Sequence, residues 1–302
     1  MSQPDEAFHK TVVHALALAS RLEGEGQYNQ AKLVRAAVAS LLSREAHQME
    51  LPHGVSALVG DLMLAASNFS AQNLDPNLVA AIQKGCAIMA EGRLSLFEET
   101  PDAYVCRKCG YTLLHPPRES CPTCGAWAVT FQRFSPVYWL DALDPFTALE
   151  RLRQTPSEVS SLVSGLTPQQ LDTPQKEGEW AIRQIITHLL DAQHVLHFRI
   201  NLMLEHDTPQ LKSLAVFNWA SDEKERPVET LRILADYIAS RQDTLARLEA
   251  IRLSDWWRIG LHQEFGAVTI RQQVSYFAMH EVTHLSDIAS LRRYWLETHP
   301  EE

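Results

Sequence analysis

Two stretches decide how this chain is read: GEWAIRQIITHLLDAQHVLHF at residues 178–198 and QQVSYFAMHEVTHLSDIASLRRYW at residues 272–295. The second is free of glycine and proline and long enough to be one helix. His280 and His284 stand four apart in it, a spacing that puts both imidazoles on one helical face. Phe277, His284, Ile288, Leu291 and Trp295 follow a single stripe, which turns His284 inward with His280 one turn before it. In the first stretch Ile185, Ala192 and Val195 recur at helical offsets from His188 and turn that histidine inward from a second helix. Taken singly, each is an ordinary core histidine. Three buried imidazoles without partners would cost roughly 1 to 3 kcal/mol each, whereas one divalent ion satisfies all three. His188, His280 and His284 are therefore read as a metal site.

Outward from these helices, turn signals at Gly165 to Pro168, Pro174 to Gly178, Asp207 to Pro209, Pro227 and Gly260 to Gly266 divide residues 143–297 into about four helices. Residues 1–99 read as a further helical domain of about four helices, with breaks at Gly24 to Gly26, Pro52 to Gly54 and Asp75-Pro76. Its second helix repeats Leu33, Ala37, Val38, Leu41 and Leu42 at helical spacing. Lone Cys86 is expected to be a small core residue there. The predicted fold class is all-α, interrupted at residues 100–135 by a small module rich in cysteine, glycine and proline.

That module carries Cys106-x2-Cys109 and Cys121-x2-Cys124, two turns that can each aim a pair of thiolates at one ion and together complete a tetrahedral shell. Gly110 and Gly125 follow each pair and permit the tight backbone that points amides at sulfur. The spacing suits zinc or iron alike. YVCRKCGYTLLHPPRESCPTCGA resembles the rubredoxin-like module of rubrerythrins, which implies either iron for electron transfer or, in ribbons of the same shape, zinc as a staple of the fold. Rubrerythrins also carry a di-iron bundle of Glu and Glu-x-x-His pairs. Here Glu6 and His9 sit at the extreme amino terminus, and Pro52 splits Glu50 from His53. The electron-transfer reading lacks its destination.

GEWAIRQIITHLLDAQ and HQEFGAVTIRQQVSYFAMHEVTHLSDI resemble the two signature regions of DinB-like proteins over roughly half of the chain. The resemblance implies a four-helix bundle, the ligand set His188, His280 and His284, and assembly as a homodimer. It also implies a divalent metal, zinc or nickel, and activities such as metal-dependent thiol transfer, in which a low-molecular-weight thiol meets a small electrophilic substrate. One departure is Ala181, where the family carries a serine that caps the helix. Asp191, Glu281 and Asp287 are candidates to accept imidazole N–H groups, or else solvent-exposed acids. His262 is either a proton-transfer group at the mouth of the site or a surface-loop histidine. His194, His197 and His206 are expected at the surface.

Composition narrows the partners. A formal charge of −10 repels phosphate and argues against nucleic acid. No apolar run reaches the ~20 residues of a membrane span, and MSQPDEAFHK lacks the pattern of an export signal. The expectation is a cytoplasmic protein, neither membrane-bound nor DNA-binding, in which four paired cysteines mean metal rather than disulfides. Its function is read as metal-dependent thiol transfer or hydrolysis, with a non-catalytic metal-binding scaffold or sensor and a rubredoxin-like iron redox protein as competing readings.

Overall fold

The computed structural model describes residues 6–50, 54–135, 142–213 and 229–298. Pro52, His53 and the turn signal at Pro227 lie outside them. The chain divides into two compact units, Met1–Phe134 and Ser135–Glu302.

In the first unit, helix α1 (Glu6–Gly24) packs on α2 (Tyr28–His47), and α3 (Val55–Ala71) packs on α4 (Pro76–Ala90). Asp75 starts α4 by accepting the amides of Asn77 and Leu78 at 2.9 and 3.1 Å, with Pro76 at the first helical position. Cys86 is buried on α4, as expected of a core residue. The cysteine module is an antiparallel sheet in which β1 (Ala103–Cys106) lies between β2 (Thr112–Leu113) and β3 (Phe131–Phe134). Arg35 of α2 and Arg107 of the module both donate to Glu23 of α1, which ties the module to the first helical pair.

The second unit is built on α5 (Pro145–Val163), α7 (Ile182–Glu205), α8 (Thr230–Glu249) and α9 (Ile270–Thr298), with the short α6 (Pro168–Asp172) between α5 and α7. A second sheet pairs β4 (Gln210–Leu211) in parallel with β5 (Ile259–His262), and β5 antiparallel with β6 (Gly266–Thr269), which leads directly into α9. The expectation of an all-α chain is therefore too narrow. The fold is mostly helical, but the Gly260 to Gly266 turn signal marks a hairpin: Gly266 takes φ +69°, a left-handed backbone that glycine adopts without strain, while Gly260 sits within β5.

Side chains of α5, α7 and α9 form two apolar clusters. One gathers Leu152, Leu196, Met203, Val274 and Phe277, the other Val159, Ile186, Leu189, Ile288 and Leu291. Along α9, His280 and His284 fall between the two clusters, and on α7 His188 sits among residues of the second. Ala181 does not leave its helix uncapped, because its own N–H donates to Gln184 Oε1 at 2.7 Å and so keeps half of a capping box. Among the described residues no helix is long and apolar enough to cross a membrane.

Candidate metal centre

α7 and α9 bring His188, His280 and His284 together. His280 Nε2 lies 3.2 Å from His188 Nε2 and 3.1 Å from His284 Nε2. Nitrogens held tetrahedrally at ~2.0 to 2.1 Å from one zinc ion stand about 3.4 Å apart. The three donors thus form a set that one ion fits with a small outward adjustment. The rings meet edge to face, with centroids 4.6 to 5.1 Å apart. Burial, reinforced by the neighbouring His284, holds His188 down to about 4 and His280 down to about 3, so both imidazoles are neutral and carry a free lone pair at pH 7. His284 Nδ1 lies 3.2 Å from an Asp287 carboxylate oxygen, which orients that ring. The other two Nδ1 atoms, on His188 and His280, are buried without a hydrogen-bond partner among the described residues.

Of the acids expected near the histidines, Asp287 is exposed and touches His284. Asp191 and Glu281 are buried rather than solvent-facing. Glu281 turns away from the histidines and pairs with Arg241 of α8. His262 lies outside the cluster and is not a loop residue. It is buried on β5, stacks on Phe265 at 4.6 Å, and its Nδ1 accepts the Glu264 N–H at 3.1 Å. His194 and His206 are exposed, but His197 is half-buried, with its Nδ1 2.9 Å from Thr244 Oγ1.

Two aromatic residues near the site were not singled out from sequence. Trp180 lies 5.2 Å from the His188 ring and 6.2 Å from that of His284, and Tyr276 stacks on His280 at 5.8 Å. Tyr276 is one turn before His280, a legible spacing, whereas nothing local signals that Trp180, ahead of α7, folds over both helices.

The four cysteines converge as well. Cys106 Sγ lies 3.7 Å from Cys124 Sγ, and Cys109 Sγ lies 3.6 Å from Cys121 Sγ. Thiolates at ~2.3 Å from a tetrahedral ion stand about 3.8 Å apart, so these distances suit a shared ion and are far too long for disulfides. Burial pushes the Cys106 thiol up, but the amides of Lys108 and Cys109 and the Cys109 and Cys124 side chains together bring the group down to about 6. Gly110 and Gly125, one after each CxxC turn, both take positive φ.

With two donor sets in place, comparison with other proteins places the second unit. Residues 151–288 match the family model of the DinB superfamily. Over 148 residues the chain is 26% identical to a protein of Bacillus cereus (strain B4264) named "Putative metal-dependent hydrolase", covering 49% of this chain and 84% of that one. A Bacillus thuringiensis subsp. konkukian protein of the same description matches with the same identity and coverage. Among solved structures, YfiT from Bacillus subtilis, described as "a probable metal-dependent hydrolase with an unusual four-helix bundle topology", aligns with a TM-score of 0.47 at 22% identity over 53% of this chain and 93% of that one. The DinB-like match falls on the elements that carry the three histidines; the cysteine module lies outside it.

Proposed function

We propose that His188, His280 and His284 hold one divalent metal ion, zinc or nickel, and that the DinB-like unit uses it to transfer an electrophilic group of a small molecule to water or to a low-molecular-weight thiol. The observation that carries this reading is the meeting of three Nε2 atoms, that of His280 lying 3.2 Å from His188 and 3.1 Å from His284. Such an ion, when bound, lowers the pKa of water or holds a thiolate, and three protein ligands leave it an open position. The chain's own contributions are distinct. Burial keeps His188 and His280 unprotonated, Asp287 orients His284, and Trp180 and Tyr276 wall the site with apolar ring faces. Hydrolysis is the reaction named for the relatives from Bacillus, and it is the form of this reading to assay first.

The four cysteines are proposed as a separate zinc site that staples the first unit. A closed shell of four thiolates has no position for a substrate. Elemental analysis of the full chain beside His284→Ala and Cys106→Ser tests both sites. Two metals per chain in wild type, with one lost in each variant, supports the reading. Retention of every metal by His284→Ala would make the histidines core residues and remove the basis for an enzyme. An oxidised iron–thiolate site would be red, and colourless protein with zinc at the cysteines would set the redox reading aside.

A further inference from the structure

Arg199 lies on the same face of α7 as His188, about three turns further along, and is only 7% exposed. Its guanidinium donates to Gln273 Oε1 at 3.2 Å and to the Lys212 carbonyl at 2.8 Å, both of them neutral acceptors. Among the described residues no carboxylate lies within ion-pair distance of it. Burial is the effect that pulls this guanidinium below its usual range, and the opposing influences of Tyr276 and Glu264 do not cancel it. Glu264, whose charge reaches Arg199, is itself engaged by the Ser213 hydroxyl.

Gln273 is fully buried on α9. Arg199 fixes the orientation of its amide, because a flipped amide would set two donors face to face. Its Nε2 is then left without an acceptor among the described residues. A buried cation whose acceptors are neutral and a buried amide donor with no acceptor among the described residues therefore stand side by side. A carboxylate supplies both the charge and the acceptor oxygens that this pair lacks.

The pair also lies in line with the histidines. Gln273 precedes His280 by close to two full turns of α9, about 10 Å, and so shares its face. Tyr276, between them, stacks on the His280 ring. The long Arg199 side chain leans toward the amino-terminal end of α7, the direction of His188. We propose that Arg199 and Gln273 bind a carboxylate of the substrate at one end of a site whose other end is the three-histidine centre. The substrate class is then a small, carboxylate-bearing molecule roughly 10 Å long. The metal end of this inference rests on the proposed function; the carboxylate end does not.

Calorimetric titration of the full-length chain with butyrate, and with butyramide as its uncharged counterpart, tests the subsite. Butyrate is expected to bind at least tenfold more tightly than butyramide, and Arg199→Gln to weaken it at least tenfold. Because Arg199→Gln also disturbs the Lys212 contact, Gln273→Glu is the second variant. It places a carboxylate of the protein against Arg199, and is expected to abolish butyrate binding while raising Tm. Butyrate affinity equal to that of butyramide, or unchanged in Gln273→Glu, would overturn the proposal. Metal analysis of the same samples separates the two readings. Butyrate binding lost in Gln273→Glu by a chain with no metal at the histidines would keep the subsite and sink the metal reading. A metal retained alongside butyrate binding indifferent to Gln273→Glu would keep the metal and sink the subsite.

Discussion

Glu281 follows His280 in sequence yet faces the middle of the bundle, where both of its carboxylate oxygens accept from the guanidinium of Arg241. Both side chains are essentially excluded from solvent, at 0% and 1% exposure. Arg241 also donates to Gln193 Oε1 of α7 at 2.6 Å and to the Leu152 carbonyl of α5 at 2.8 Å, so one guanidinium joins all four long helices at the level of the histidines. The orientation of α9, and with it the placing of His280 and His284, depends on this contact.

Removing one member of that pair strands a charge in the core. Arg241→Leu is expected to cost about 3 to 5 kcal/mol, and the double replacement Arg241→Leu with Glu281→Leu markedly less, because no uncompensated charge remains. Urea unfolding of Arg241→Leu, Glu281→Leu and the double variant checks this. A double variant as unstable as the sum of the two single ones would mean that the pair holds the bundle through packing alone.

His262 gives the second unit a defined response to acid. Burial, with the charge of Arg199, holds it down to about 4, below its ordinary value of 6.5. Between those values the unfolded chain binds a proton that the folded chain refuses, so stability falls as pH drops from about 6.5 to about 4 and is unaffected by this group at higher pH. His262→Asn can keep an acceptor for the Glu264 N–H and should flatten the decline by about 2 kcal/mol. Thermal unfolding of the two proteins at pH 7.5 and pH 4.5 is the comparison to make; parallel losses would assign the acid sensitivity to other groups.

Gly260 has no room for a side chain. A Cβ built there would lie 2.7 Å from Leu211 Cδ1 and 2.9 Å from its Cγ, across the β4–β5 pairing. Gly260→Ala should therefore destabilise the second unit by about 1 to 3 kcal/mol, the usual penalty for overfilling a packed site. Pairing it with Leu211→Ala should recover part of the loss, and a Gly260→Ala chain with wild-type Tm would show that the sheet can shift to accommodate it.

The cysteine module gives a prediction confined to the first unit. Four cysteine sulfurs 3.6 to 3.7 Å apart in pairs would repel one another as thiolates unless an ion lay among them. Incubation with a strong chelator should increase amide exchange in β1 and its neighbouring strands while leaving protection of α7 and α9 near Arg241 unchanged. Chelator-insensitive exchange in β1 would mean that the sheet stands without metal.

The sequence by itself determined the features carried by local spacing. An HxxxH step on an uninterrupted helix puts His280 and His284 on one face wherever that helix goes, and two CxxC turns bring each thiol pair together through the short chain between them. Periodicity likewise placed the four long helices of the second unit, because each must bury one stripe. It missed the short strands, since β4 and β6 are too brief for alternation to register and Gly260 read as a turn. What only the tertiary structure decided are the encounters between residues far apart in the chain: His188 with His280, Arg241 with Glu281, Arg199 with Gln273, and the burial of His262. Side-chain type limits which partners would satisfy such groups, but helix packing selects the ones they meet, and the energies of burial and charge pairing depend on that selection.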